Sequence, residues 1–507
     1  MVGVVSPHIR TVKTSSGARA VQIVYSRRKG SREIEHIGSA HSDVDLELLK
    51  TVARQRLAAG QGQLDLGLGP PAEAGGPLPI TAARMAHLWD ALCTAYDALG
   101  FGQATGGDEV FRHLVLARII EPTSKLDSLR VLDEAGIPTA SYPTMNRRLR
   151  VYSTDRWRER LAAVCARRAG LGPATLVMFD VTTLYFETDA GDGFREPGFS
   201  KERRLEPQIT VGLLTDSSGF PLMVNAFEGN KAETTTMIPT LQAFMAAHGL
   251  TDVVVVADAG MVSQANMKAI EADGLSFILG ARIPHVPYVI EKWYKDNPGE
   301  QIPDGHVFTQ PWPAGPTDQR KDQVYYYQYK HDRARRTLKG IDEQVSKAEK
   351  AVAGQIAIKR NRFVRLTGAT KSVNRELEAK ARALAGIKAY VTNIAEPTPE
   401  LVIGAYSKLF QIDKSFRMAK SDLAARPIYA RTRDSIEAHL TIVFAALAVS
   451  RWIEKATGWS IKKFVKTARR YRTIEIQAGE HTITAADPLP NDLGAILDAI
   501  NQQARAH

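Results

Sequence analysis

Cysteine is rare in this sequence: among 507 residues only Cys93 and Cys165 occur, and no CxxC pair is present. A disulfide framework and a structural zinc site are therefore excluded as sources of stability.

Long apolar runs are missing too. No stretch of about 18 uninterrupted apolar residues occurs, so we expect no membrane-spanning segment, and the opening MVGVVSPHIRTVK lacks the apolar core of a signal peptide. These absences predict a cytoplasmic protein with two buried thiols.

What the sequence does contain is the composition of an ordinary globular protein with an excess of positive charge. Hydrophobic residues make up 44% and charged residues 24% of the chain, the balance of a folded rather than a disordered protein. The formal net charge is +11. A basic balance favours a polyanionic partner such as nucleic acid, although a solvated basic surface gives the same charge. At this length we expect several domains.

Changes in composition along the chain predict the domain boundaries. Short β-prone runs separated by turn residues predict hairpins followed by a helix over 1–59, and a Gly/Pro-rich stretch predicts a linker over 60–79. Apolar residues at helical spacing predict a helical region over 80–168, which is a candidate DNA-binding domain because it contains a short basic helix. Residues 476–507 are expected to form a C-terminal tail that ends in a short helix.

A short basic helix in this helical region is a candidate for DNA recognition. The segment PTMNRRLRVY carries Arg147 and Arg148 between other predicted helices, which is the arrangement of a helix-turn-helix that reads DNA ends. An exposed basic helix within a bundle has the same pattern. The sequence leaves both interpretations open.

The central part of the chain predicts a mixed α/β sheet. In 169–282 the first three strands are joined without crossover helices and the later two are separated by helices; the runs are ATLVMFD, QITVGLL, FPLMVNAF, DVVVVAD and SFILGA. Antiparallel strands followed by parallel ones give a mixed sheet, in the order of a ribonuclease-H-like core. Residues 283–400 interrupt this core as an insertion domain, and 401–475 are expected to complete it with a catalytic helix.

Two acidic residues follow buried strands of this core. Asp180 closes LVMFD and Asp258 closes VVVVAD. Ligands bind outside the carboxyl ends of strands in open α/β sheets, so neighbouring strands would bring the two carboxylates together. Converging carboxylates suit Mg2+, which takes hard oxygen ligands and keeps several waters, and paired ions stabilise phosphoryl transfer. The alternative for each residue is an Asp that only caps the following turn.

A third element of chemical interest is the segment AYSKLFQIDKSFRMAKSDL. On one long helix over 400–425, Tyr406, Asp413 and Lys420 would be spaced by seven residues and form a polar stripe beside the apolar face. A stripe at the core boundary is placed where an active site could use it. The alternative is an amphipathic helix in which Asp413 pairs with Arg417 one turn later.

In combination, these motifs resemble those of a known enzyme family. FDVTTLYF, VVADAG and Y-(2)-L-(3)-D-(6)-K are similar to the motifs of DDE transposases of bacterial insertion sequences, whose signature is Y-(2)-R-(3)-E-(6)-K. KSFRMAKSDLAARPIY and DSIEAHLTIVFAALAVSRWIE resemble the subgroup related to the transposase of insertion sequence 1634. The resemblance covers roughly residues 80–475.

The resemblance implies a ribonuclease-H-like catalytic core in which Asp180, Asp258 and Asp413 bind the metal, expected to be Mg2+ with Mn2+ as a substitute. Tyr406 and Lys420 fall on signature positions that contact DNA near a flipped base at the transposon end, and Arg417 is a further candidate DNA contact. The implied partners are double-stranded DNA, as terminal inverted repeats and target, and further copies of the chain in a homodimer or larger synaptic complex. The expected location is the cytoplasm, near the nucleoid, with no membrane partner.

Two positions depart from the signature. Leu409 replaces its Arg and removes one guanidinium for phosphate. Asp413 replaces its Glu and is one methylene shorter, which would place the carboxylate about 1.5 Å farther from a metal, and a misplacement of about 1 Å can cost roughly 100-fold in rate. Glu437 is the nearest alternative acid. Because Asp434-Ser-Ile-Glu437 looks like a capping box that opens the next helix, Asp413 is preferred.

Other residues are candidates for DNA contact. Trp293 or Trp312 could stack on a displaced base, although such a Trp is often local core. Lys201 lies in the basic segment GFSKERR between the first two core strands. The runs RARRTLK, KRNRFVR and KKFVKTARRYR could follow a DNA backbone or form solvated helix faces.

The sequence thus predicts a transposase that cleaves DNA at transposon ends and joins the strands to target DNA by a cut-and-paste route. The alternative is a catalytically decayed descendant that only binds DNA, prompted by Asp413. A phosphatase of the haloacid-dehalogenase type is disfavoured, because Thr182 stands where that chemistry needs a second Asp.

Overall fold

The fold is described from a computed structural model, which covers residues 7–14, 17–26, 32–59, 78–171, 175–188, 190–198, 206–232, 235–250, 253–260, 263–316, 320–357, 361–367, 370–426, 428, 430–478 and 481–506. Most of the predicted linker and Lys201 lie outside the described residues. The chain forms two compact units. One comprises Met1–Arg168, Leu184–Asp189 and Ser415–His507, and the other comprises Ala169–Thr183 and Ala190–Lys414.

The chain begins with a small antiparallel sheet covered by a helix. The elements are β1 (His8–Lys13), β2 (Arg19–Ser26), β3 (Arg32–Ala40) and α1 (Asp43–Ala59). Strand β2 lies in the middle and pairs antiparallel with both neighbours. Alternate residues Val21 and Ile23 point to one face, where Leu46, Leu49 and Ala53 of α1 bury them. This matches the hairpins and helix expected for 1–59.

Helices dominate the next part of the chain. A short strand, β4 (Ile80–Arg84), precedes α2 (Ala86–Ala98), α3 (Phe101–Ala104), α4 (Glu109–Ile120), α5 (Asp127–Glu134), α6 (Tyr142–Tyr152) and α7 (Asp155–Ala169). Helix α4 begins where the Asp108 side chain accepts a hydrogen bond from the Phe111 amide at 3.0 Å, a typical N-cap. The helices lie where apolar spacing predicted them.

The central strands also lie where the apolar runs predicted them. They are β5 (Thr175–Tyr185), β6 (Gln208–Thr215), β7 (Pro221–Glu228), α8 (Met237–His248), β8 (Val253–Ala257), α9 (Gln264–Ala272) and β9 (Ser276–Ala281). Every residue of β6 and β8 is buried. This explains the uninterrupted apolar sequence of β8, VVVVA. Strand β8 pairs in parallel with β5 and β9, whereas β6 and β7 form an antiparallel hairpin.

Residues 283–400 extend this sheet. Their elements are α10 (Tyr288–Asp296), β10 (Val307–Trp312), β11 (Gln323–Tyr329), α11 (His331–Val352), β12 (Val364–Thr367), β13 (Thr370–Val373), α12 (Arg375–Ala383) and β14 (Ile387–Thr392). Strand β14 pairs antiparallel with β9, so the mixed sheet has the order β10-β11-β14-β9-β8-β5-β6-β7. The expected insertion therefore contributes three strands to the same sheet as the core.

The single helix expected over 400–425 is wrong. The structure has α13 (Pro399–Ser407), α14 (Phe410–Arg417) and a π-helical turn (Met418–Asp422) instead. At the break, the amides of Lys408 and Leu409 donate to carbonyls three residues earlier rather than four. The Ser407 hydroxyl also donates to the Gly404 carbonyl at 2.7 Å, a local bond that competes with the regular helix.

The C-terminal part packs with the N-terminal helices in the same unit. Its elements are α15 (Arg433–Thr457), α16 (Ile461–Ala468), β15 (Thr473–Ala478), β16 (His481–Ala486) and α17 (Asn491–Arg505). Strand β15 lies between β16 and β4. Helix α15 packs on α2, α4, α6 and α17. Its length and composition would suit a membrane span, but its apolar window is entirely buried within the protein, as for a core helix.

Candidate active site

Asp180 and Asp258 each come directly after a paired position of two hydrogen-bonded parallel strands. The register pairs Phe179 with Ala257; Asp180 is the next residue of β5, and Asp258 is the first residue after β8. Adjacent strands lie about 4.8 Å apart, so the carboxylates start from backbone positions at that spacing. Asp258 follows β8 directly, as predicted. Asp180 does not end its strand, because β5 continues through the β-prone VTTLY to Tyr185.

Asp413 lines the same cleft as this pair. The cleft has a volume of about 480 Å³ and is lined by all three candidate acids. Asp413 is exposed and lies near the start of α14. Within the described residues, no three His, Cys, Asp or Glu side chains are grouped closely enough to hold one metal ion. The structure therefore brings the three acids to one cleft, with Asp180 and Asp258 as the neighbouring pair.

Tyr406 forms part of the cleft wall and holds one of the acids. Its side chain is buried, and its hydroxyl donates a hydrogen bond to Oδ1 of Asp258. Burial, followed by this bond to a carboxylate, raises the pKa of Tyr406, so the phenol stays protonated and remains a donor. The expectation for Tyr406 was a DNA contact; the structure shows a contact with a candidate metal ligand.

A glycine makes room for this tyrosine. A Cβ added at Gly280 in β9 would lie 2.6 Å from the Tyr406 hydroxyl and 3.0 Å from the Ala259 amide nitrogen. Both distances are too short for any larger side chain to fit without displacing Tyr406 or the loop after β8. Glycine is therefore required at position 280 of β9, in the sequence Ile-Leu-Gly-Ala, where the Tyr406 side chain lies against the strand.

The sequence analysis missed a lysine in this cleft. Lys388 in β14 is half-buried, and its Nζ lies 4.2 Å from the ring centroid of Tyr406 and 5.8 Å from that of Tyr390. The two rings meet edge to face at 5.0 Å. Burial lowers the pKa of Lys388, although the charge of Asp258 opposes this effect. Within the described part of the chain, the Lys388 ammonium forms no salt bridge.

Lys388 could not be found from sequence because its position depends on long-range pairing. The alternation Lys388-Ala-Tyr390 indicates a strand with two polar residues on one face. Only the pairing of β14 with β9 brings that face to the cleft. Arg333 of α11 lines the same cleft and is held by bonds from Nη1 to the carbonyls of Gln328 and Gly386, at 3.1 and 3.2 Å.

The basic helix that is a candidate for DNA recognition is present as α6. Arg147 is exposed, and its Nη2 donates to Thr144 Oγ1 at 3.2 Å. Arg148 forms a salt bridge with Asp108, the N-cap of α4, which also accepts a hydrogen bond from Tyr152 at 2.9 Å. Arg148 therefore has a structural partner, whereas Arg147 faces solvent. A DNA contact by either residue stays a prediction.

The remaining candidates differ in their surroundings. Trp312 at the end of β10 is 51% exposed and lies 5.9 Å from the Tyr325 ring, whereas Trp293 packs against a buried cluster around Ile290. Arg417 is exposed at the end of α14. Lys420 lies in the π-helical turn. Lys201 lies outside the described residues.

Glu437, the alternative third acid, is engaged elsewhere. It is 8% exposed and accepts a hydrogen bond from Arg158 at 2.5 Å, with Arg433 at 3.4 Å. The expected capping box at Asp434 is wrong, because Thr432 is the N-cap of α15 and accepts from the Ser435 amide. Glu437 is thus a buried ion-pair partner one turn into the helix.

A comparison with protein families decides what kind of protein carries this cleft. Residues 172–449 match the family model described as Transposase DDE domain, more than half of the 507 residues. The chain belongs to the DDE transposase family.

No curated protein matches the sequence. Among solved structures, the chain is similar to the piggyBac transposase in a cryo-EM structure of its synaptic complex with hairpin DNA, at 11% identity. The TM-score is 0.38, with 74% of this chain and 70% of that chain covered, which does not establish a shared fold.

Family membership allows the cleft to be tested for a metal. DDE transposases generally use divalent metal ions. Asp180 and Asp258 fit such an ion, because two oxygen-donor side chains lie in adjacent register at the edge of an open cleft. Mg2+ is typically bound by one or two carboxylates together with waters and substrate phosphate, so this transposase needs no closed cage of protein ligands.

Proposed function

We propose that this transposase cleaves DNA at the ends of its element and transfers the resulting strands into target DNA by a cut-and-paste route. The observation that carries the proposal is that Asp180 and Asp258 directly follow Phe179 and Ala257, which pair across two parallel strands inside the region that matches the transposase family model. Two carboxylates at such a position suit a metal-assisted attack on a phosphodiester, in which oxygen atoms are the attacking and leaving groups.

The strand order supports a ribonuclease-H-like core. Reading across the sheet, β7-β6-β5-β8-β9 corresponds to chain order 3-2-1-4-5, with a hairpin on one side and parallel strands on the other. This arrangement places the first and fourth strands side by side in the middle of those five. The two acids lie on that central pair, which is why their convergence follows from the fold.

The side chains of the cleft have different proposed roles. When bound, divalent metal would supply Lewis-acid stabilisation of the attacking and leaving oxygens. Asp180 and Asp258 would hold it, and Asp413 across the cleft would complete the acidic set. Tyr406 keeps the Asp258 carboxylate in one orientation. Lys388 lies in the same cleft, where an ammonium can pair with a phosphate oxygen of the scissile strand.

The partners we propose follow from the same chemistry. The substrate is double-stranded DNA with the terminal inverted repeats of the element, bound by a homodimer or larger synaptic complex in the bacterial cytoplasm. The net charge of +11 supports association with a polyanion. The relation to the insertion sequence 1634 subgroup belongs to this proposal, since the Y-(2)-L-(3)-D-(6)-K pattern departs from the signature.

A second function is favoured by one specific observation. Asp413 is the shorter acid, and it does not form a three-residue metal group with the other two in the described chain. A transposase descendant that binds DNA without cutting it would tolerate this change. The two functions differ in a single measurable property, cleavage.

The experiment uses the full chain and duplexes that carry the inverted repeats flanking its open reading frame. With Mg2+, we expect nicking at the repeat boundary to release a 3′-OH end, and transfer of labelled ends into a supercoiled plasmid. Duplexes with scrambled repeats are the control. Binding of the repeats without any nicking, in Mg2+ or Mn2+, would support the decayed DNA-binding protein instead.

A further inference from the structure

One buried arginine has no charged partner among the residues that the structure describes. Among the described residues, three arginines are at least nine-tenths buried: Arg118, Arg451 and Arg469, at 8, 9 and 9% exposure. Arg451 faces Glu454 and Arg469 faces Glu121, each at 3.4 Å. Arg118, in the last turn of α4, forms no side-chain hydrogen bond or salt bridge with any described residue. Such a charge is costly to bury without a counter-charge.

Arg118 lines a cavity whose described lining residues include no carboxylate. The cavity has a volume of about 460 Å³, within the usual range of ligand sites, about 300–1,000 Å³. Lys125 and Arg426 line it as well, so three cationic side chains share one space, and none of the described lining residues is acidic. The helix C-terminus near Arg118 offers a partial negative charge of roughly one half. That is too little to balance the cluster.

The side chains around Arg118 do not neutralise its positive charge. Lys125 donates to the Ser435 carbonyl at 3.4 Å, and burial with the nearby Arg118 charge lowers the pKa of Lys125 to about 8. Arg426 lies over the Tyr185 ring at 5.7 Å. His439 is buried, and its pKa falls to about 3 because of burial and the two cations, so it is neutral at pH 7. None of these groups supplies a negative charge.

We propose that this cavity binds a backbone phosphate of DNA, with Arg118, Lys125 and Arg426 as its cationic ligands. A phosphodiester offers the missing charge and oxygen acceptors to guanidinium and ammonium donors. The inference rests on the proposed function for the choice of DNA as the source of the phosphate. The cavity itself requires only a phosphate-like anion.

The position of the cavity favours DNA over a free anion. Its wall includes Tyr142, the first residue of α6, the helix that carries Arg147 and Arg148. Tyr142 and Leu126 are among the exposed large hydrophobic residues, at 36 and 57%. A phosphate fixed beside α6 would set the register of that helix on a duplex, as backbone contacts commonly do.

The binding test measures the salt dependence of affinity. A 40-base-pair duplex of arbitrary sequence serves as the probe, since phosphate contacts do not depend on sequence. Fluorescence anisotropy with the full chain from about 50 to 200 mM KCl gives the slope of log K against log salt. We expect Arg118→Met to weaken binding at least about tenfold and to reduce the slope by about one unit. Lys125→Met should reduce the slope as well.

Thermal unfolding separates a binding role from a structural one. Removing an unpartnered buried charge in favour of an apolar side chain should leave Tm unchanged or raise it, so we expect Arg118→Met to be stable in the absence of DNA. Arg451→Met is the matched control. It removes an equally buried arginine that has a partner, and it should lower Tm without changing the salt slope.

A third arm distinguishes the source of the phosphate. Inorganic phosphate at equal ionic strength should raise the Tm of the parent but not that of Arg118→Met, because ligand binding to the folded state stabilises it. If the parent binds no DNA, the proposed function fails, and this phosphate shift alone decides whether the cavity is an anion site. Unchanged salt slopes in both cavity variants, or a phosphate shift that survives Arg118→Met, would overturn the proposal.

Discussion

The hydroxyl of Tyr406 donates a hydrogen bond to the carboxylate of Asp258, and so connects α13 to the end of β8. Tyr406 is 5% exposed, whereas Asp258 faces the cleft. A buried donor of this kind fixes the orientation of a carboxylate that would otherwise rotate. Gly280 permits the contact because any side chain there would meet the phenol.

Removing the Tyr406 hydroxyl should weaken metal use more than DNA binding. Groups that orient a metal ligand typically contribute about 10–100-fold in metal affinity or activity. We therefore expect Tyr406→Phe to raise the Mg2+ concentration that half-saturates cleavage by about tenfold, while the Kd for the DNA end changes little. The measurement is a Mg2+ titration of single-turnover cleavage.

Tyr390→Phe is the matched control for that substitution. The Tyr390 hydroxyl contacts Gln328 at 3.5 Å rather than an acid, although its ring touches the same tyrosine. It should leave the Mg2+ titration unchanged. A Tyr406→Phe variant with a parental titration and weakened DNA binding would instead show that Tyr406 contacts DNA.

Substitution of Lys388 should affect the handling of DNA in the cleft. Its ammonium lies over the Tyr406 ring and has no salt bridge among the described residues, so it is placed for a phosphate. We expect Lys388→Met to lower kcat/KM for cleavage by about tenfold, the scale of one hydrogen bond to a charged group. Lys371→Met, an exposed lysine in β13, is the control. Equal kcat/KM values for Lys388→Met and Lys371→Met would show that Lys388 has no role in cleavage.

Asp413 should matter for cleavage although it is one methylene shorter than the signature acid. If it completes the acidic set, Asp413→Ala should lower the single-turnover cleavage rate at least about 100-fold, as expected for a displaced catalytic group. Asp413→Glu should stay within about tenfold of the parent. A large gain of activity in Asp413→Glu from an inert parent would show that the natural protein has decayed.

The lowered pKa of the buried Glu134 carboxylate should make the stability of the fold depend on pH. Burial alone would raise its pKa, but the contact with His36 and the hydrogen bonds from Ser39 and Arg130 outweigh burial and lower it from 4.5 to about 2. A folded-state pKa below the unfolded value means stability that is present above about pH 4.5 and is lost as pH falls towards 2. Glu134→Gln should therefore lower Tm at pH 7 and flatten its fall between about pH 4.5 and 2. Parallel Tm curves for parent and variant would contradict this assignment.

The acidic pair could be predicted because its signal is local. Each of Asp180 and Asp258 follows an uninterrupted apolar run, and both runs are buried strands. The strand order along the chain then restricts how these strands can pair. Both the strands and the shared cleft edge therefore followed from sequence, and the family match covers both residues.

The rest of the cleft could not be predicted, because it depends on contacts between distant segments. The polar stripe of Tyr406, Asp413 and Lys420 assumed one continuous helix, and a break near Lys408 divides it. Lys388 reaches the cleft only through the pairing of β14 with β9, which joins positions more than 100 residues apart. The role of Gly280 likewise appears only once Tyr406 is placed against it.

Asp180 and Asp258 are proposed to act together as the metal-binding pair, so substitution of either acid by its amide should abolish cleavage. Asp180→Asn and Asp258→Asn keep the size of each side chain and remove its charge. With duplexes that carry the terminal repeats, we expect each variant to bind the DNA end with the parental Kd while Mg2+-dependent cleavage falls below detection. Cleavage at or near the parental rate in either variant would contradict it.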